Sequence, residues 1–397
     1  MLLSAFLAGL SLACSTSLHA DAASFQAKAH ELVGRLSPEE RVGQLLLIGV
    51  QGRGRVSDET LGLVSSLGPG GILLFGFNVP ERAAELAPAL GALQDAARVS
   101  GAGLPLFIAI DHEGGSVFRF GSGVTRPPSP LETAARGPEF AGLLGGREGL
   151  ELGALGINMV LGPVVERLTE DNKEFIGNRA YGRDARRVDE VAGAYIEGLG
   201  RAGLLSAAKH FPGNSLVDPH RSLPTIEVTR AAFIADYLPR FAEAVRHGVP
   251  AIMLSHVLVP SVDPKRPATL SAPLIDLLRK KADFSGLVLT DDLLMKALGQ
   301  DSRLSAVEAL AAGADLLMLS SEEAAIPVRD AILAALRDGR LSPSRVREAA
   351  ERVIAAKLRF GLAKAFDVTS RARAIAELPG LVAESAELLG KLGHRSK

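Results

Sequence analysis

Eight stretches of the chain are continuous runs of apolar residues in which apolar and polar positions do not alternate. A strand with one face in solvent alternates, whereas a strand buried on both faces of a parallel sheet stays apolar throughout. The pattern therefore predicts eight buried parallel strands. The runs cover residues 44–50, 70–76, 104–110, 157–163, 204–210, 251–257, 286–290 and 314–320.

The segments between these runs have helical spacing and recognisable ends. Ser37, Pro38 and Glu40 form a capping-box pattern ahead of the first run, and Ser342 with Pro343 repeats the start signal late in the chain. A succession of eight strand–helix units predicts an α/β fold, a single (β/α)8 TIM-type barrel, over an open doubly wound sheet. No G-x-G-x-x-G motif follows the first run, which also argues against a dinucleotide-binding sheet.

Composition narrows the class of ligand. The chain has 44 basic and 45 acidic residues without a long run of like charge, and its formal net charge is -1. This balance gives no electrostatic reason to expect nucleic acid or an anionic membrane surface as a partner. Aromatic residues make up 5% of the chain and tryptophan is absent, which argues against a long polysaccharide groove lined by stacking rings.

Residues 1–22 have the pattern of an export segment. The apolar stretch from Leu2 to Ala13 is too short to span a bilayer, and small residues follow it. The only cysteine, Cys14, stands as in a bacterial lipoprotein signal, although Ser11 occupies a position where that signal usually has Leu. We expect an exported protein, periplasmic or membrane-anchored, attached to a membrane only through a lipidated Cys14. The alternative is an amphipathic first helix.

In a barrel of this kind the active site lies at the C-terminal ends of the strands. Polar residues directly after each apolar run are therefore the candidates for chemistry. They are Asp111, Glu113 and Arg119 after the third run, Asn178, Arg179 and Asp184 after the fourth, Lys209, His210, Asp218 and His220 at and after the end of the fifth, Ser255 and His256 in the sixth, and Asp291 and Asp292 after the seventh.

Several of these residues also have a purely structural interpretation. Asp291 or Asp292 could cap a helix that begins with the segment DLLMKAL. Asp111 could form a structural ion pair with Arg119. Lys209 is harder to explain in this way, because a buried lysine is costly unless a carboxylate such as Asp111 or Asp291 lies close by.

Convergence of these groups on one rim would create a small pocket rich in hydrogen-bond donors and acceptors. Such a pocket suits a hydroxylated ligand, and a single terminal sugar is the obvious class. The motifs DHEGG, GNRAYG, KHFPG followed by Asp-x-His, PATLS and TDDLLM come in the order of the barrel strands and resemble those of glycoside hydrolase family 3. Within that family the chain is most similar to the β-N-acetylglucosaminidases of the NagZ type.

The resemblance implies a role for each candidate. Asp291 would be the nucleophile that forms a covalent glycosyl-enzyme, and His220 would be the acid/base, oriented by Asp218. The same resemblance implies no cofactor, and no short metal-binding spacing such as H-E-x-x-H is present, so we expect no metal. The residues implied to bind the sugar are Asp111, Arg119, Arg179, Lys209, His210 and His256.

The expected activity is that of a retaining exo-β-N-acetylglucosaminidase acting on peptidoglycan fragments or chitooligosaccharides. A β-glucosidase, a glycoside phosphorylase and a non-catalytic sugar-binding barrel are the alternatives. The loop after KHFPG departs from the family pattern, because Asn214 and Ser215 replace His-Gly, the loop is two residues shorter, and Pro219 separates Asp218 from His220. Ser116 stands where Arg often follows EGG. These changes affect loop closure, and hence the aglycone preference and rate.

The chain then divides into three parts. Residues 1–22 are the export segment and residues 23–365 the family 3 N-terminal-type catalytic barrel. The remainder, 366–397, is predicted to be a helical tail packed on the barrel wall, interrupted at Pro379 and Gly380. Because so short a remainder has no room for a second domain, we expect the acid/base to come from a loop of the barrel.

Overall fold

The computed structural model describes residues 23–299, 301–363 and 367–395. Its centre is a barrel of parallel strands in the order β7-β6-β5-β4-β3-β2-β1-β8, closed by a parallel bridge between Leu289 and Leu316. The (β/α)8 prediction is confirmed. The strands are β1 Leu46–Gly49, β2 Gly71–Leu74, β3 Phe107–Ile110, β4 Met159–Val160, β5 Leu205–Phe211, β6 Ala251–Leu254, β7 Leu287–Thr290 and β8 Leu317–Leu319.

Every residue of these eight strands is buried. One face of each strand fills the barrel interior, and the other lies under the surrounding helices, which explains why the apolar runs do not alternate. Each strand falls within its predicted run except β5, which extends one residue further to Phe211.

Helices follow the strands and form the outer layer. The Ser37 hydroxyl accepts the Glu40 amide while the Glu40 carboxylate accepts the Ser37 amide, so the predicted capping box is confirmed. The helices are α1 over residues 23–35, α2 Pro38–Gln44, α3 Asp58–Leu67, α4 Ala87–Arg98, α5 Pro130–Arg136, α6 Pro138–Leu155, α7 Ala185–Arg201, α8 Arg230–Ala232, α9 Leu238–Arg246, α10 Ala272–Lys281, α11 Ser302–Ala312, α12 Ala325–Arg337, α13 Pro343–Arg359 and α14 Val368–Arg395.

The last helix lies against α6. Arg147 of α6 donates from Nε to the Ser385 hydroxyl at 2.9 Å and from Nη2 to Glu384 at 3.0 Å. Pro379 stands inside α14, so the predicted interruption there is wrong. The buried side chains of Leu378 and Leu389 anchor α14 on both sides of the proline, which offsets the missing backbone donor.

The segment predicted to direct export lies outside the described residues, as does Cys14. Within the part of the chain that the structure describes, no helix has both the length and the apolar character needed to cross a membrane.

Candidate active site

A cluster of charged side chains occupies the C-terminal ends of β3 and β5. The Lys209 ammonium lies 2.7 Å from Asp111 Oδ1 and 2.6 Å from Glu113 Oε1. Arg179 clamps Glu113 from the other side, with Nε and Nη2 at 2.7 and 2.8 Å from its two oxygens. Arg119 approaches Asp111 Oδ2 at 3.4 Å. The carboxylate partner required by the buried Lys209 is therefore Asp111, together with Glu113, and not Asp291.

These groups keep one another charged. Burial by itself would raise the pKa of Glu113, but Lys209 and Arg179 outweigh that effect and hold its pKa well below the usual range. Burial would likewise lower the pKa of Lys209, and the carboxylates of Asp111 and Glu113 reverse the direction. The cluster of three cations and two carboxylates is a fixed set of charged donors and acceptors at neutral pH.

Only part of the cluster faces open space. The side chains of Lys209 and Glu113 are 3% and 1% exposed, whereas those of Asp111 and Arg119 are 23% and 32% exposed. Asp111 and Arg119 are therefore placed to contact a ligand directly. Lys209 and Glu113 are almost fully covered, and Lys209 holds Asp111 in position.

His210 adjoins this cluster at the end of β5. Its Nδ1 lies 2.7 Å from Glu166 Oε1, and its backbone amide donates to the same oxygen at 3.1 Å. The Asn214 amide also donates to Glu166 Oε1, at 2.8 Å. Because Nδ1 is held by a carboxylate, Nε2 is the nitrogen of His210 that remains for a ligand.

His220 and Asp218 are on the loop that follows β5. Asp218 Oδ1 accepts the His220 backbone amide at 2.9 Å and lies 2.7 Å from Nδ1 of the same residue. Partial burial would raise the pKa of Asp218, but the hydrogen bonds from His220 outweigh it and lower that pKa. The His220 side chain is 64% exposed. The imidazole is thus oriented by a carboxylate at Nδ1, and the side chain as a whole is largely open to solvent.

The loop carrying His220 is attached to the loop after β7. The Pro219 carbonyl accepts the Ala297 amide at 3.1 Å. Asp291 begins that second loop, and its amide donates to the Leu254 carbonyl at 3.1 Å. The Pro219–Ala297 hydrogen bond therefore joins the loop that contains His220 and Asp218 to the loop that begins at Asp291.

Asp291 and Asp292 have different surroundings. Asp291 Oδ1 accepts the Asp292 amide at 2.8 Å, and among the described residues no lysine or arginine forms an ion pair with Asp291. Asp292 Oδ1 accepts the amides of Leu294 and Ser320, which ties the loop to the end of β8. The segment DLLMKAL, which the alternative interpretation placed in a helix, contains a 3-10 turn at Lys296–Leu298 and no α-helix.

His256, which the resemblance implied as a sugar-binding residue, is enclosed by the protein. His256 is fully buried, with Nδ1 2.7 Å from the Thr269 hydroxyl and Nε2 2.9 Å from the Asp292 carbonyl. Burial lowers its pKa, and Nε2 donates to Asp292, because a carbonyl oxygen can only accept a hydrogen bond. Both nitrogens are used within the protein, and His256 positions the loop that begins at Asp291.

Sequence reasoning missed Glu166 and did not assign a role to Glu113. Glu166 follows β4 at the C-terminal end of the barrel, and this position is the signal that could have identified it. Among the described residues, no group of three or more His, Cys, Asp or Glu side chains is arranged to hold a metal ion.

The barrel fold and the comparisons with known proteins define an enzyme of the glycoside hydrolase class. The protein-family model described as "Glycosyl hydrolase family 3 N terminal domain" matches residues 37–356 of the chain. The chain belongs to glycosyl hydrolase family 3, and the resemblance seen in its motifs is confirmed.

Individual proteins agree with this assignment. The chain is similar to a Beta-hexosaminidase of Chromobacterium violaceum, with 38% identity over 244 residues that cover 58% of this chain and 67% of that protein. A Beta-hexosaminidase of Alkalilimnicola ehrlichii is 34% identical over 296 residues, 71% of this chain and 82% of that protein. The solved family 3 beta-N-acetylglucosaminidase from Paenibacillus sp. str. FPU-7 superposes with a TM-score of 0.79 at 33% identity, over 87% of this chain and 69% of that one.

Proposed function

We propose that the protein is a retaining exo-β-N-acetylglucosaminidase that releases terminal N-acetylglucosamine from peptidoglycan fragments or chitooligosaccharides. One observation carries the proposal. The Pro219–Ala297 hydrogen bond at 3.1 Å joins the loop of the His220–Asp218 pair to the loop of Asp291, a carboxylate without a cationic partner among the described residues. An acid/base and a nucleophile on adjoining loops are what the retaining reaction requires.

In the first step Asp291 attacks the anomeric carbon while the bond to the leaving oxygen breaks. The proton passes from Nε2 of His220 to that oxygen, so the alcohol departs neutral. Asp218 at 2.7 Å from Nδ1 stabilises the imidazolium before the transfer and keeps the ring oriented. The product of this step is a glycosyl ester of Asp291 and a neutral His220.

In the second step water attacks the same carbon and releases Asp291. Nε2 of the neutral His220 takes a proton from that water, which restores the imidazolium and gives overall retention of configuration. Because Asp291 has no lysine or arginine partner among the described residues, no ion pair neutralises its charge, and its only recorded side-chain hydrogen bond there is from the Asp292 amide.

Recognition of the sugar falls to the charged cluster. Asp111 and Arg119 are the most exposed members of the cluster, so we assign them the direct hydrogen bonds to hydroxyl groups. We assign further hydrogen bonds to Arg179, Lys209 and His210, whose partners Glu113, Asp111 and Glu166 hold them in place. We propose that His256 acts only through the loop after β7.

The test is hydrolysis of an aryl β-N-acetylglucosaminide beside the matching β-glucoside, with the anomer of the first product followed by NMR. We expect turnover of the acetamido sugar with retention. Asp291→Asn should lower turnover by about 1,000-fold or more, since no other carboxylate replaces the nucleophile. Asp276→Asn, an exposed aspartate on α10, is the control and should leave turnover unchanged.

His220→Ala provides the second arm of the same test. Turnover of substrates with poor leaving groups should fall by roughly 100-fold to 10,000-fold, and activated aryl substrates should be affected far less. Equal losses on both would remove His220 from the acid/base role. Turnover of the glucoside alone would identify a β-glucosidase, sugar 1-phosphate formed in phosphate buffer would identify a phosphorylase, and sugar binding without turnover would identify a binding protein.

We also propose that the protein is exported, either cleaved after Ala22 or lipidated at Cys14. The apolar stretch Leu2–Ala13 and the small residues after it support this proposal. The test is cell fractionation with intact-mass measurement of the wild-type protein and of Cys14→Ser. Lipidation predicts that the wild-type protein, but not the variant, is found with the membrane.

A further inference from the structure

We infer that Phe175 is a positioning residue for the acid/base, and that through it the charged cluster fixes the place of His220 relative to the sugar. The inference rests on the proposed function and deepens it. The Phe175 ring lies 6.2 Å from the His220 imidazole, centroid to centroid, with a tilt of 54°. The guanidinium carbon of Arg179 lies over the same ring, 5.5 Å from its centroid. Phe175 thus contacts both a member of the charged cluster and the acid/base.

The loop after β4, which carries Phe175, is a fixed support. The buried side chain of Asn172 accepts the Thr169 amide at 2.8 Å and donates to the Arg167 carbonyl at 3.0 Å. The Asn172 carbonyl accepts the amides of Phe175 at 3.1 Å and of Ile176 at 2.8 Å. Ile176 belongs to a small buried apolar cluster, and the Phe175 side chain packs against that cluster. Hydrogen bonds and packing together therefore hold the ring in place.

The loop that carries His220 has far fewer attachments. Between residues 215 and 223, the one backbone hydrogen bond recorded to another part of the described chain runs from the Ala297 amide to the Pro219 carbonyl. The bonds between Asp218 and His220 lie within the loop, so they orient the imidazole relative to the loop and not relative to the sugar. Among the contacts recorded for this imidazole in the described residues, the one with Phe175 leads to the charged cluster.

Arg179 connects the ring to the sugar-binding side of the site. Its Nε and Nη2 donate to the two oxygens of Glu113 at 2.7 and 2.8 Å, and Lys209 lies 2.6 Å from the same carboxylate. Paired hydrogen bonds fix the plane of a guanidinium as well as its position, and that plane lies over the Phe175 ring. The acid has to come within about 2.6–3.2 Å of the leaving oxygen. A displacement of His220 relative to the cluster by about 1 Å therefore lowers the rate.

The experiment isolates proton transfer by comparing two leaving groups in the full chain. Methanol leaves a methyl β-N-acetylglucosaminide only with a proton on its oxygen, whereas a dinitrophenolate leaves without one. The readout is the ratio of kcat/KM for the methyl glycoside to kcat/KM for the dinitrophenyl glycoside, measured within one protein. Changes in Asp291 or in binding of the shared N-acetylglucosamine cancel in this ratio. Diacetylchitobiose is measured beside them, because its leaving group is a sugar.

Variants of Phe175 test the role of the ring. Phe175→Ala should lower the methyl-to-dinitrophenyl ratio by about tenfold, the fold-change that corresponds to loss of one aromatic pair. Phe175→Tyr keeps the ring and should restore the wild-type ratio, whereas Phe175→Leu keeps only the apolar packing and should remain low. Phe360→Ala is the matched control and should keep the wild-type ratio. Phe360 is a partly buried ring with the Arg359 guanidinium carbon 5.7 Å from its centroid, and it lines a cavity with Pro250 and Gly286, at the opposite end of the barrel.

A double-mutant cycle tests the part played by Arg179. Arg179→Lys removes both the planar group over the ring and the paired hydrogen bonds to Glu113. In the wild-type background this change should lower the methyl-to-dinitrophenyl ratio. In the Phe175→Ala background it should leave the ratio unchanged, because the connection from the cluster to His220 is already broken. Equal reductions in the two backgrounds would overturn the coupling through Phe175.

The outcomes separate the inference from the proposed function. Equal losses of kcat/KM on the methyl and dinitrophenyl glycosides in Phe175→Ala, or no loss on either, overturn the positioning role and leave the proposed function intact. A loss with diacetylchitobiose but not with the methyl glycoside also overturns it, since Phe175 would then contact the leaving sugar itself. Absence of turnover of every N-acetylglucosaminide by the wild-type protein overturns the proposed function.

Discussion

The two ends of the barrel each contain a buried lysine, and the two lysines are in opposite electrostatic situations. At the C-terminal end, Lys209 lies within 2.7 Å of Asp111 and 2.6 Å of Glu113. At the N-terminal end, Lys357 of α13 donates to the Gln44 side-chain carbonyl at 2.7 Å and lies 5.3 Å from the Phe107 ring centroid. The partners of Lys209 raise its pKa against the effect of burial, whereas burial lowers the pKa of Lys357 to about 7.

The comparison teaches that the partner, and not burial itself, decides whether a lysine in this barrel is charged. The face of Phe107 attracts a cation, but this attraction does not offset the loss of water around Lys357. Two carboxylates offset the same loss for Lys209. The buried lysine that stays charged, Lys209, therefore lies at the C-terminal end of the barrel, where the sugar is proposed to bind.

Replacing each lysine by methionine should give the largest contrast. Lys209→Met leaves Asp111 and Glu113 without their shared cation, so we expect the free energy of unfolding to fall by about 3–5 kcal/mol. Turnover of the aryl N-acetylglucosaminide should fall by about 100-fold or more, since Asp111 is no longer held in position. Lys357→Met should keep the wild-type turnover. Equal losses of activity in the two variants, measured beside urea unfolding curves, would contradict the comparison.

Removing one carboxylate should have a smaller effect. Glu113→Gln keeps the shape of the side chain but removes a charge, while Lys209 retains Asp111. We expect the free energy of unfolding to decrease by about 1.5–3 kcal/mol, the range for a lost hydrogen bond to a charged group. Glu170→Gln, in which an exposed ion pair with Lys173 is removed, is the control and should leave the urea midpoint unchanged. A similar shift in both variants would refute a special role for burial.

The smallest of the expected effects is a dependence of the free energy of unfolding on pH, caused by Lys357. The pKa of Lys357 is about 7 in the folded protein against 10.5 for an ordinary lysine, so unfolding takes up a proton between these values. The contribution of Lys357 to the free energy of unfolding is largest above pH 10.5. It decreases as the pH falls to about 7 and is constant below that pH. Between pH 7 and 9 the free energy of unfolding of the wild-type protein, measured in urea, should rise by about 2 kcal/mol relative to that of Lys357→Met. A difference between the two proteins that does not change with pH would contradict the lowered pKa of Lys357.

Sequence patterns predicted the barrel well, because a strand that is buried on both faces is a continuous run of apolar residues. The eight apolar runs correspond to the eight strands, and β5 differs only by including Phe211. The capping box of Ser37 and Glu40 was equally readable, since its partners are three residues apart. The predicted interruption at Pro379 was wrong, and the segment after Asp291, which the alternative interpretation placed in a helix, forms a 3-10 turn instead.

Partners distant in the chain could not be predicted in the same way. Lys209 lies 98 positions from Asp111 in the chain and was assigned two possible carboxylates, of which the structure selects one and adds Glu113. Glu166 joins His210 across 44 positions without a local motif to mark it. His256 follows a strand end like the other candidates, yet its ring turns toward Thr269 and Asp292.

The sequence by itself determined the class of fold, the family and the strand ends from which the site is built. Local apolar runs and short motifs contain that information, because burial and capping act over a few neighbouring residues. Only the tertiary structure decided that Lys209 is charged, that His256 faces the protein and that Phe175 lies beside His220. These outcomes depend on which side chains from different strands come within a few ångströms, and electrostatic and packing energies change steeply over that distance.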